Sequence, residues 1–217
     1  IKAQPDEFDD LAHEDFNVYK AKGVFNYSKG EKVIMMDSDM LFLRKPSEII
    51  DWIQSDEKVR LYGEDHYEHH SKYIEIETLS DQKPLAPKVN AGLICLYPED
   101  LEKDDFLSLI RHFVKLDSVF FAEQVAFCFI LSRYPHQSLP SDRYVPCYFP
   151  DPESGKEKIN NETAHLHFMG DKGHKVNVLY QKYAHQVLKE LKDDTGTVET
   201  EILIDQEIIP TGLKISE

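Results

Sequence analysis

Apolar positions along the chain fall into short blocks divided by polar turns, and the spacing within the blocks switches between the period of a strand and that of a helix. Near the start, Asp15 can cap a helix running to about residue 28, and the turn Lys29-Gly30-Glu31-Lys32 then leads into the run Val33-Ile34-Met35-Met36. That order reads as helix, turn, buried strand. A second apolar run covers 40–43, after which Pro46 and Ser47 open a helix bearing Ile49, Ile50 and Ile53, with Ser47 as its cap. Strands are predicted at 59–62 and 73–78, with a polar loop at 64–70 between them, and 89–97 is again strand-like. From Pro98 onward a helix is expected, because Phe106, Leu109, Ile110, Phe113 and Val114 recur at helical spacing behind the acidic pair Glu99 and Asp100. Residues 119–132 are apolar on nearly every side and predict a buried helix, followed by a proline-rich connection through Pro135, Pro140, Pro146, Pro150 and Pro152. Alternation over 163–168 puts His165 and His167 on one face of a strand. An amphipathic helix over 176–192 follows, and the acidic tail beyond it holds one apolar patch, 202–209, suited to an edge strand.

Alternating strands and helices predict a single mixed α/β domain over 1–192 with 193–217 as a tail, and no internal repeat or linker interrupts it. At 217 residues, 41% hydrophobic and 11% aromatic, the chain is long enough to bury a core. The charge of -15, from 40 acidic against 25 basic residues, argues against nucleic acid and against an anionic membrane surface. Three cysteines, Cys95, Cys128 and Cys147, lie in apolar runs without metal or redox spacing, so buried free thiols in a reducing, cytoplasmic setting are expected. No stretch reaches the roughly 18 apolar residues of a membrane span.

Candidate chemistry starts at Asp37-Ser38-Asp39. Hard divalent cations prefer carboxylate oxygens, and a buried strand can aim both groups into a cleft. Two carboxylates leave coordination positions for a substrate diphosphate. Such a doublet is also a common turn, with an aspartate capping nearby backbone. Three segments add weight. Asn90-Ala91-Gly92 puts an amide and two small residues at the head of an apolar strand, where a ligand can approach the backbone. Glu123-Gln124 opens the most apolar helix, a position that calls for pairing or a cavity unless it is simply solvated. His167 ends a strand ahead of the basic, glycine-bearing loop Gly170-Asp171-Lys172-Gly173-His174-Lys175, where imidazole suits a metal and glycine with lysine suits phosphate.

Taken in order, Asp-x-Asp, Asn-Ala-Gly, acid-Gln and His-x-x-Gly-x-Lys resemble the retaining glycosyltransferases of family 8, the glycogenin and bacterial galactosyltransferase group, over about residues 19–175. The resemblance implies a GT-A fold, a mixed sheet flanked by helices. It also implies Mn²⁺ or Mg²⁺ on Asp37, Asp39 and His167, with donor-sugar contacts from Asn90, Ala91 and Gly92. Gly170 with Lys172 or Lys175 would grip the diphosphate, Gln124 would lie near the anomeric carbon, and Lys20 would sit close to the donor and to Glu123. Glu123 stands where the family more often has aspartate. Only 36 residues precede Asp37, so the base-reading start of the family is expected to be shortened or truncated.

The expected activity is transfer of a hexose from a nucleotide-sugar to an acceptor hydroxyl, with retention. An inverting variant would need a carboxylate base, for which Asp65, Glu64 or Glu123 are available, and the loop 64–70, with His66, His69 and His70, is the expected place for the acceptor. Two other readings are a non-catalytic domain that keeps the fold, and an aspartyl-nucleophile hydrolase. The second usually has Thr or Val where Leu41 stands.

Overall fold

A computed structural model describes residues 18–27, 32–66, 84–116, 122–148, 159–169 and 178–195. The chain forms mixed sheets flanked by helices. Helix α1 (Val18–Tyr27) leads to strand β1 (Val33–Met36), then β2 (Met40–Phe42), α2 (Ser47–Gln54), β3 (Arg60–Glu64) and β4 (Val89–Leu96). Helices α3 (Lys103–Leu116) and α4 (Ala122–Ser132) follow, then β5 (His136–Ser138), β6 (Tyr144–Tyr148), β7 (His165–Met169) and α5 (Val178–Thr195).

One sheet runs in the order β1-β4-β3-β5 and the other β2-β7-β6. Antiparallel pairs β1/β4, β4/β3 and β2/β7 combine with parallel pairs β3/β5 and β6/β7. Strand β4 is central and buried along its whole length, as its unbroken apolar run requires. Its two faces separate two cores. Phe106, Ile110, Phe113, Phe127 and Ile130 from α3 and α4 pack with Ala91, Ile94 and Leu96 on one side. Ile49 and Trp52 of α2 pack with Leu93, Cys95 and Tyr144 on the other. A third cluster, Val145, Cys147, Leu166 and Phe168, lies in the second sheet, with Tyr180 and Tyr183 of α5 against it.

The elements differ from the expected pattern in a few places, each for a physical reason. Pro98–Asp100 is a separate 3₁₀ turn and α3 starts at Lys103, because the Asp100 carboxylate turns back to accept from Tyr97 N at 3.1 Å and to pair with Arg60. At α2 the cap position is Pro46, and Ser47 is the first helical residue with no side-chain cap bond. The proline-rich connection carries two strands, β5 and β6. Pro146 is tolerated inside β6 because, among the described residues, that strand is an edge paired only with β7. Residue 64, expected in the loop, ends β3. The expected strand 73–78, the apolar patch 202–209 and the loop residues His69 and His70 lie outside the described residues. All three cysteines are free and buried. Among the described residues no helix is long and apolar enough to cross a membrane.

Candidate functional site

The backbone brings the motifs together before any side chain is considered. The β1/β4 ladder ends at Met36 opposite Leu93 and continues one step further, Asp37 N donating to Gly92 O at 2.8 Å. Met40 pairs with His167, and Phe168 N donates to Asp39 O at 2.9 Å. The three residues 37–39 therefore cross from one sheet to the other, and His167 meets them at the crossing. On the far side of β4, the register with β3 breaks between Tyr62 and Gly63, so that Asn90 comes opposite Gly63. Register shifts of this kind are frequent at functional sites. Lys88, just before it, adopts a left-handed φ of 49°, and Asp65 N donates to its carbonyl at 2.7 Å.

Gly92 is the centre of the arrangement. A Cβ there would collide with the His167 ring carbon Cε1 and stand 2.7 Å from Asn90 Oδ1 and 2.8 Å from Asp37 Oδ2. Only glycine lets these three side chains converge. His167 Nε2 lies 3.2 Å from Asp39 Oδ1 and 3.6 Å from Asp37 Oδ2. Ligand atoms of Asp37, Asp39 and His167 all fall within 4.8 Å of one another. Asp39 Oδ1 is closed off from solvent, with His167 Nε2 beside it but no well-aligned hydrogen bond. A buried carboxylate oxygen left this way is a fit for a cation, and two carboxylates with one imidazole are a donor set that Mn²⁺ accepts.

Lys20 of α1 organises the other side. Its Nζ donates to Asp37 Oδ1 at 2.8 Å and Ala91 O at 3.3 Å, and it pairs with Glu123 Oε2 at 3.4 Å. Burial alone would lower the Lys20 pKa, but Glu123 and then Asp37 outweigh it and hold the ammonium above its ordinary value. Because Lys20 occupies Oδ1, Asp37 turns Oδ2 toward His167 and Gly92. At Asp39 burial pushes the carboxyl up, yet His167 and, more weakly, Lys20 bring it below its ordinary value.

Beside this cluster sits a buried amide network. Asp65 Oδ2 accepts from Asn90 Nδ2 and from Gln124 Nε2, both at 3.3 Å, while its Oδ1 accepts from His66 N at 2.6 Å. Gln124 Oε1 accepts from Ala91 N at 3.1 Å, and Asn90 Oδ1 from Gly92 N at 2.9 Å. Each amide is thereby held at both ends. Of the expected site residues, Lys20, Asp37, Asp39, Asp65, Asn90, Ala91, Gly92, Glu123, Gln124 and His167 come together in these contacts. Gly170, Lys172 and Lys175 lie outside the described residues. Two participants carried no expected role: Met169 Sδ lies 3.1 Å from Asn90 Nδ2, and His165 is buried two residues from His167 on the same strand face. His66, expected in the acceptor loop, has its Nε2 3.0 Å from Pro146 O. Strand alternation, which already set His165 on the face of His167, also carries Met169, two residues further along, to that face.

Fold and site together define a class: a mixed α/β domain with a carboxylate–imidazole cluster, suited to a divalent cation, at the seam between two sheets. No family model and no curated protein sequence matches the chain. Among solved structures, the apo structure of WbbM, a bifunctional glycosyltransferase, aligns at 12% identity with a TM-score of 0.48, over 86% of this chain. The chain spans about a third of that structure's length, 36%. A likeness this loose leaves the weight on the site itself.

Proposed function

We propose that this chain carries the donor site of a metal-dependent glycosyltransferase of the GT-A type, resembling family 8. It would transfer a hexose from a nucleotide-sugar to an acceptor hydroxyl with retention. The observation that carries this reading is the grouping of Asp37, Asp39 and His167 within 4.8 Å, with Asp37 and His167 meeting over Gly92 and the Asn90–Asp65–Gln124 network beside them. An aspartyl-nucleophile hydrolase needs an aspartate open to attack a phosphorus, whereas Asp37 is engaged by Lys20 and Asp39 faces His167.

Asp37, Asp39 and His167 are the residues that would hold Mn²⁺ or Mg²⁺. The bound cation supplies positive charge to a departing diphosphate. The chain's own groups do the rest. Lys20 fixes Asp37 and keeps the acidic pocket from repelling an anionic donor. Gly92, having no side chain, lets Asp37, Asn90 and His167 meet where the donor would be held. Asn90 and Gln124, oriented by Asp65, present amides to the sugar hydroxyls and to the carbon at which the bond to diphosphate breaks and that to the acceptor forms. Both Asp65 oxygens already accept hydrogen bonds, which suits an orienting role better than that of an inverting base and supports retention, with the acceptor proton passing to the diphosphate.

The test is release of free nucleotide from a panel of nucleotide-sugars, with Mn²⁺ and with chelator. Mn²⁺-dependent release that Asp39→Asn reduces by at least ~100-fold agrees with a metal site that stabilises the leaving charge. Release that is indifferent to both Mn²⁺ and Asp39→Asn sinks the proposal.

A further inference from the structure

His165 stands out among groups that the proposed chemistry leaves unused. It is 2% exposed, and neither ring nitrogen has a hydrogen-bond partner among the described residues. Its ring meets Phe42 at a centroid distance of 4.9 Å and Tyr144 at 5.7 Å, so its flanks are packed while its polar edge is not satisfied by them. Burying an imidazole without a partner is unfavourable, and an apolar residue would fill the place more cheaply. The same ring lines a small cavity between the two sheets that His167, Asn90, Gly63, Glu64 and Pro146 also line. The cavity has room for about one water, and His165, His167 and Asn90 set polar groups into an otherwise largely apolar lining, so that a water there has partners to hold it.

We infer that His165 is a positioning residue for His167, acting through a single water held in that cavity. Residues two apart on a strand lie roughly 6.5–7 Å apart along the backbone. A nitrogen–water–nitrogen bridge spans up to ~5.8 Å at ~2.9 Å per bond, a reach of the same order as that spacing, and both residues line the one cavity. A metal-ligating histidine needs its second nitrogen held by a partner that fixes ring orientation, and water commonly serves. His165, with both ring nitrogens unpartnered among the described residues and lining the same cavity, supplies the second polar contact that such a water needs. The ligand of this small site is thus water, and its effect is to aim the His167 Nε2 lone pair at the space between Asp37 and Asp39. The inference rests on the metal reading above for its purpose, while the water itself does not depend on it.

Two measurements separate these. A high-resolution crystal structure of the metal-free protein should show one ordered water within hydrogen-bond distance of both rings; a dry cavity, or a water touching His165 alone, overturns the inference. Titration with Mn²⁺ alone should then show His165→Phe binding the ion ~10- to 100-fold more weakly than wild type, with His165→Asn recovering most of the loss. Thermal unfolding of each metal-free variant establishes that it is folded. A role in packing alone predicts unchanged Mn²⁺ affinity in a His165→Phe protein that is as stable as wild type or more so, and that outcome overturns the positioning claim. If wild type binds no Mn²⁺ the metal reading fails, and the crystal structure alone decides for or against the bridging water.

Discussion

Gly92 shows how much a single residue carries here. Replacing it with alanine puts a methyl where His167, Asn90 and Asp37 meet, and the neighbours that must yield are the proposed ligands and the donor amide. Gly92→Ala is therefore expected to weaken Mn²⁺ binding by more than ~10-fold, with destabilisation of about 1–3 kcal/mol from overpacking. Titration calorimetry with Mn²⁺ and denaturant unfolding report the two effects, and wild-type affinity in the variant would show that the three side chains do not share that space. His165 makes a second prediction at this scale. Burial first, then His167, pushes its pKa down to about 3, with Asp39 opposing. The unfolded chain takes up a proton near pH 6.5 that the folded chain refuses, so this residue's contribution to stability is present above that pH and is lost as pH falls toward 3. Between those limits wild type should lose up to about 1.4 kcal/mol per pH unit more than His165→Phe does in urea unfolding. Parallel pH dependences for the two proteins would contradict this. Residue types in order were enough to suggest Asp37, Asp39, Asn90, Gln124 and His167. The spatial fact that makes them a site, a Cβ-sized gap at Gly92, depends on a ladder step that sequence does not display.

At the scale of elements, those with strong periodicity were legible and those set by tertiary pairing were not. The all-buried α4 and central β4 follow from continuous apolar runs. Strands β5 and β6 did not stand out, because three-residue β5 is short and polar and β6 contains Pro146, tolerated only through its edge position. Likewise the start of α3 was displaced by a long-range partner. Arg60 at the head of β3 forms a buried, two-point ion pair with Asp100, its Nε 2.6 Å from Oδ2, which holds the 3₁₀ turn apart from the helix. Asp100→Ala strands that guanidinium in the core and should cost about 3–5 kcal/mol. Arg60 begins the strand that leads to the site, five residues before Asp65 and so roughly 16 Å away at strand spacing. Mn²⁺ affinity of the folded variant should hence stay within about twofold of wild type. A stability loss below about 1 kcal/mol in guanidinium unfolding would show that the pair is not the lock described.

For the molecule as a whole, the proposed site lies where two sheets meet: Asp37 follows β1 of one, His167 belongs to β7 of the other, and Asp39 sits on the segment between them. A cation bound there joins the sheets as well as the ligands. Binding confined to the folded state raises stability by about 2.7 kcal/mol at a hundredfold excess over Kd, roughly 5–10 °C in Tm for a chain of this size. The most direct measurement is the Tm with Mn²⁺ and a panel of nucleotide-sugars, added singly and together. A donor site that binds both predicts a rise with Mn²⁺, a further rise of several degrees with one nucleotide-sugar only when Mn²⁺ is present, and neither in Asp39→Asn. A Tm that no combination of Mn²⁺ and nucleotide-sugar moves, or that moves equally in Asp39→Asn, would contradict it.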